Sequence, residues 1–217
     1  MYAPEDGGMG YYSLAKSVSY APRRLTVLLN DETKDVADGN YKHCFVVNKL
    51  DHYIYTVMVK GQLVRIKPNT RTCELLLKKV GTSTRPDACD SYLAFSPVKG
   101  QENMLYVAMA EGNQIWRVDV GNLEGKDKNT YPGEGYAGKA ILEGQVSGAG
   151  WEDGLLRNAK FDNPHQICFT EDGKLYIADC GNNCIRVIDT KLPLDRAMVT
   201  TPIGLPGMKG YKDGGPD

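Results

Sequence analysis

His43 and His165 each open a short β-rich run, "HCFVV" and "HQICF", and each stands two residues before a large apolar side chain, Phe45 or Ile167. Two readings follow. Either both imidazoles face one ligand site, with Asp90 adding a carboxylate at the matching place in mid-chain, or each ring hydrogen-bonds the backbone of a neighbouring sheet. A tetrahedral zinc site needs three or four convergent ligands, and the remaining histidine, His52, falls in a turn. No cofactor or metal is therefore expected. Trp151 and Tyr211 form a second pair, each two residues before an Asp-Gly step. An exposed ring on a rigid loop offers a sugar a stacking platform through its apolar face and quadrupole; the same ring turned inward plugs a seam between sheets. Asp153, Asp179 and Asp213 sit at turns, where a carboxylate usually binds its own backbone, and are expected to be structural.

Other catalytic constellations are missing: the sequence has no GxSxG, no HExxH, no phosphate loop and no dinucleotide fingerprint. Glu152 and Asp153 are adjacent, so on an extended chain they diverge and cannot work as a paired acid and base. A binding role without catalysis is the expectation. The 26 basic and 27 acidic residues leave a net charge of −1, which removes the basic field that draws a protein onto nucleic acid. Apolar runs such as Leu25 to Leu29 fall far short of the roughly 20 residues of a membrane helix. Six cysteines show no CxxC pair, and several fall inside expected strands as small apolar groups. Cys180 and Cys184 flank the turn Gly181-Asn182-Asn183, where a disulfide is geometrically possible.

The elements that must hold these residues recur. "LYIADCGNNCIRVI" at 175–188 aligns without a gap on "LYVAMAEGNQIWRV" at 105–118, and "IYTVMVKGQLVRI" at 54–66 fits after one turn residue is dropped. In every copy β-branched and aromatic runs flank a turn, which predicts a hairpin. A further short run precedes each hairpin, and another follows it: "CELLL", "KAIL" at 139–142 and "AMVTT". Four short strands per unit is the composition of a propeller blade. The linkers repeat as well. "EGQVSGAGWEDG" and "IGLPGMKGYKDG" share Gly144 with Gly204 and Gly150 with Gly210, and fixed glycines predict positive φ at set places.

The linker Gly-x-x-Asp-Gly, then Ala159-x-Phe161-x-x-Pro164, then Leu175-Tyr176-Ile177-Ala178-Asp179, then Asn182-Asn183-x-Ile185-Arg186-x-Ile188, resembles the NHL repeat. The second and first copies depart from it with Met109 and Met58 in place of the Asp. The resemblance implies an all-β fold, a β-propeller of four-stranded NHL-type blades, commonly six to the ring. Residues 1–23 then read as a lead-in and 24–217 as a partial propeller, with blades about 40–80, 90–142 and 160–204 and a next one opening at 205–217. On the third blade's pattern a Phe and a Pro are expected about four and seven residues past Asp217. "RLTVLL" at 24–29 is expected as an outer strand with no hairpin before it, pairing into the last blade. Similar chains occur as extracytoplasmic or surface lipoproteins of bacteria, some beside glycan-uptake systems and behind an immunoglobulin-like domain. The resemblance thus implies a carbohydrate or protein ligand; metal-dependent lyase or lactonase chemistry at His43, His165 and Asp90 is its enzymatic alternative, and an interaction scaffold its third.

Overall fold

The computed structural model describes residues 9–11, 23–25, 44–58, 61–81, 91–139 and 148–210. His43, Asp90, Tyr211, Asp213 and Cys89 lie outside the described residues. β1 (Met9–Tyr11) pairs antiparallel with β2 (Arg23–Leu25). The described part of "RLTVLL" therefore has a partner strand before it in the chain, within the stretch expected as a lead-in.

Three antiparallel meanders follow. The first joins β3 (Phe45–Val47), β4 (Ile54–Val57), β5 (Leu63–Lys67) and β6 (Thr72–Leu77) in sequence order. The second joins β7 (Ser91–Phe95), β8 (Met104–Met109), β9 (Gln114–Asp119) and β10 (Glu134–Ala137). Its last strand lies ahead of the expected "KAIL" run, whose residues 140–142 lie outside the described residues. Glu134 and Gly135 pair with Arg117 and Trp116, while Lys139 already lies in a turn. The third sheet has β12 (Pro164–Phe169), β13 (Lys174–Asp179), β14 (Cys184–Asp189) and β15 (Met198–Ile203), with the short β11 (Gly154–Leu155) added on the outer edge of β15. Among the described residues no helix is long and apolar enough to cross a membrane.

Each hairpin turns on a residue with positive φ. Asn113 and Asn183 coincide in the alignment because both adopt the left-handed conformation, φ 53° and 56°, which Asn tolerates better than most residues. The first copy, one residue shorter, uses Gly61 with φ 83° instead. The linker glycines follow the expectation only in part. Gly204 has φ 87°, and a Cβ there would meet the Asn183 carbonyl; Gly150 and Gly210 do not have positive φ. At Gly150 the constraint is crowding, since an added Cβ would press on the Lys160 side chain.

Alternation along the strands builds the seams. Leu175, Ile177 and Ile188 face the second sheet and join Tyr106, Ala108, Ile115 and Tyr136 in one buried cluster. Tyr106 makes edge-to-face contacts with Tyr136 and Phe169, at centroid distances of 4.9 and 5.2 Å. The opposite face of the second sheet packs Leu105, Val107, Met109 and Trp116 against Tyr55, Val57, Leu63 and Leu77 of the first. Burial of each such side chain contributes about 1.5–3 kcal/mol, so the sheet-to-sheet seams hold much of the stability. β7 packs against both β3 and β12, which sets the first strands of the three sheets side by side on the inside of an arc.

Candidate functional site

The linker ahead of the third sheet is held from three sides. Gly150 N–H donates to the Phe161 carbonyl at 3.0 Å, Asn182 Nδ2 donates to the Gly150 carbonyl at 2.9 Å, and Lys160 N–H donates to the Glu152 carbonyl at 3.1 Å. Beneath it lies Arg186, fully buried. Its Nη1 donates to Asp179 Oδ2 at 2.7 Å and to the Lys160 carbonyl, while Nη2 donates to Asp153 Oδ1 at 2.7 Å and to the Glu152 carbonyl. The guanidinium also lies 5.0 Å over the Phe161 ring. Asp179 is completed by the Asp162 N–H and the Asn182 amide. Burial pushes its carboxyl above the ordinary value, against the pull of the Asn182, Asp162 and Arg186 donors.

Asp153 and Asp179 are thus structural, but not in the expected way. Their oxygens bind a buried arginine and the backbone of other segments, and Asp179 also accepts from the Asn182 amide of its own turn. Cys184, Arg186 and Ile188 alternate on one face of β14, but the partners that a buried charge demands come from segments far apart in sequence. The same slot is filled differently in the other two sheets. Met109 and Trp116 occupy it in the second, and Met58 and Val64 in the first, all buried. One position in the repeat is therefore an ion cluster once and an apolar contact twice.

Trp151 stands on this scaffold with 47% of its surface exposed. Its indole N–H donates to Thr201 Oγ1 at 3.0 Å, and that hydroxyl in turn donates to Asp153 Oδ1 at 2.9 Å. Thr201 N–H reaches Asp153 Oδ2 at 3.0 Å. Both carboxylate oxygens accept hydrogen bonds. The aromatic that does plug a seam is Trp116, whose Nε1 donates to Gln114 Oε1 at 3.1 Å.

His165 lies half-buried near the start of β12. Its ring stacks on Tyr92 of the neighbouring sheet at 5.0 Å between centroids, with Nδ1 3.4 Å from the Tyr92 hydroxyl. The neighbour it meets is a side chain, not the backbone. Among the described residues no group of three or more His, Cys, Asp or Glu side chains is placed to hold a metal ion. A cavity of about 390 Å³ opens at the other end of the first strands, where Val47, Phe95 and Phe169 end β3, β7 and β12. Lys49, Glu102 and Glu171 are among its polar lining residues. His165 and this cavity therefore mark opposite ends of the first strands.

Cys44, Cys73, Cys168, Cys180 and Cys184 are free thiols. Cys184 lies opposite Asp179 in the ladder, and Cys180 has moved into the 3-10 turn Cys180–Asn182, so the two are not a cross-strand pair. Burial pushes the Cys73 thiol up to about 11 and raises Cys184 as well. The thiolate is the reactive form. Brief alkylation of the folded 217-residue chain at pH 8 is therefore expected to label exposed Cys168 first and to spare Cys73 and Cys184 until denaturant is added. Peptide mass spectrometry reads the order; early labelling of Cys73 would contradict its placement.

The sheets define an all-β protein of the propeller class. Residues 161–188 match the NHL repeat family model. The chain is similar in structure to a protein of unknown function from Bacteroides thetaiotaomicron, with 20% identity, a TM-score of 0.60, and 87% of this chain aligned to 40% of that one. It is also similar to two auxiliary nutrient binding proteins. The one from Bacteroides thetaiotaomicron has 18% identity and a TM-score of 0.54 over 76% of this chain and 36% of its own; the one from Bacteroides ovatus has 19% and 0.52 over 73% and 35%. At these identities the likeness is one of fold, and the chain spans about 40% or less of these proteins.

Proposed function

We propose that the chain forms part of a non-enzymatic, ligand-binding propeller that takes a carbohydrate at the bacterial cell surface or in the periplasm. The observation that carries this reading is the presentation of Trp151: a large ring, about half exposed, on a linker pinned by a buried ion cluster. Rigid aromatic faces suit pyranose rings, whose C–H faces are apolar. Two fold neighbours are auxiliary nutrient binding proteins, which supports a ligand-binding role. His43, Asp90 and Tyr211 remain candidate contacts with His165 under this proposal.

A glycan array probed with the intact protein tests the reading, with Trp151→Ala and His165→Ala alongside. Selective binding is expected, and Trp151→Ala is expected to weaken it about tenfold, the equivalent of roughly 1.4 kcal/mol of lost stacking. His165 is packed on Tyr92, so its replacement is expected to change binding less. A silent array sinks the carbohydrate assignment, and binding untouched by Trp151→Ala removes the linker from the site.

A further inference from the structure

We propose that Thr201 is a positioning residue for Trp151, fixing the ring in one orientation and leaving only its face for recognition. The inference rests on the reading of Trp151 as the ligand-stacking surface. A threonine hydroxyl has one proton to give. Here it goes to Asp153 Oδ1 at 2.9 Å, which leaves the oxygen lone pairs to accept the Trp151 indole N–H at 3.0 Å. Asp153 is held from inside by Arg186 Nη2 at 2.7 Å and from the strand by Thr201 N–H at 3.0 Å. The chain Arg186, Asp153, Thr201, Trp151 thus runs from a side chain with no exposure to one with 47%. Threonine is itself stiff at χ1, and it sits within β15, so its hydroxyl is a fixed acceptor.

Two consequences follow for the ligand. The indole N–H is already engaged, so Trp151 offers no donor to a sugar hydroxyl. Asp153 Oδ1 accepts from the Arg186 guanidinium and the Thr201 hydroxyl, and Oδ2 accepts from the Thr201 N–H, so the carboxylate keeps one acceptor site. The ligand class is a pyranose read by shape at its C–H face, with no hydrogen bond from the indole.

The two tryptophans allow a test that needs no ligand. Labelling with 5-fluorotryptophan should produce two fluorine resonances, and Trp151→Phe assigns the pair. In Thr201→Val, which keeps the β-branched shape, the Trp151 resonance is expected to move toward that of free indole and to narrow roughly twofold as the ring gains motion. The Trp116 resonance should stay in place and report an intact fold. Thr201→Ser, which keeps the hydroxyl, should restore the parent spectrum. A Trp151 resonance unchanged in Thr201→Val overturns the positioning role. Loss of that role while Trp151→Ala still weakens glycan binding leaves the stacking reading intact, and a responsive resonance with a silent array does the reverse.

Discussion

Arg186→Met is expected to lower the unfolding free energy by about 3–5 kcal/mol, the usual result of removing one partner of a buried ion pair. It leaves the Asp179 carboxylate fully buried with only the Asn182 amide and the Asp162 N–H for partners. Asp179→Met is expected to cost less, because Arg186 keeps Asp153 and two carbonyls. The double variant, with Met at both positions, should recover more than half of the Arg186→Met deficit. Met58 and Met109 already occupy the equivalent of position 179 in the other two sheets, and apolar replacement of a whole buried ion pair is often neutral or stabilising. Denaturant midpoints at constant m-value measure all three. A double variant no better than Arg186→Met would show that the slot in the third sheet cannot accept the apolar solution.

The Arg186→Met deficit is expected to depend on pH. Burial raises the Asp179 carboxyl in the native protein against the pull of the guanidinium; without Arg186 that pull is gone. A carboxyl raised on folding binds its proton more tightly in the folded state, so stability falls as pH rises from the unfolded value, near 4, through the folded one. The deficit should therefore be smaller at about pH 4 than at neutrality. Equal deficits at both pH values would mean that Asp179 does not carry the penalty.

Phe161→Ala is expected to cost about 3–5 kcal/mol, the range for emptying a buried aromatic site. The ring is fully buried in the seam cluster with Leu156, Ile177 and Tyr136, and it carries the Arg186 guanidinium on its face. Phe161→Leu keeps most of the volume and should lose less than about 1.5 kcal/mol beyond the cation–π contact. Because Phe161 and Arg186 touch, their effects should not add, and a coupling of about 0.5–3 kcal/mol is expected in the double-mutant cycle. Strict additivity would place the arginine's stabilisation entirely in its carboxylates.

The meanders were legible because their cues are local. Alternation with period two marks β13 and β14, and the coincident Asn113 and Asn183 mark turns that need positive φ. The fourth strand of the second sheet falls ahead of the expected "KAIL" run, because alternation alone does not tell which stretch pairs: β10 lies where Glu134 meets Arg117, joined by an ion pair of 3.0 Å. For Trp151 the sequence leaves an exposed ring and a seam plug equally open, and it does not show the anchor, since Thr201 is 50 residues away.

The sequence by itself determined the repeat, the all-β class and the four-stranded unit, because strand period, turn chemistry and self-similarity act over a few residues. Only the tertiary structure decided that Arg186 lies inside, that Asp153 and Asp179 serve it, and that Trp151 rather than Trp116 faces solvent. A buried charge is stable only where partners converge from separate segments, here residues 152–153, 160 and 179. That convergence follows from packing between linker and sheet, which no local pattern encodes.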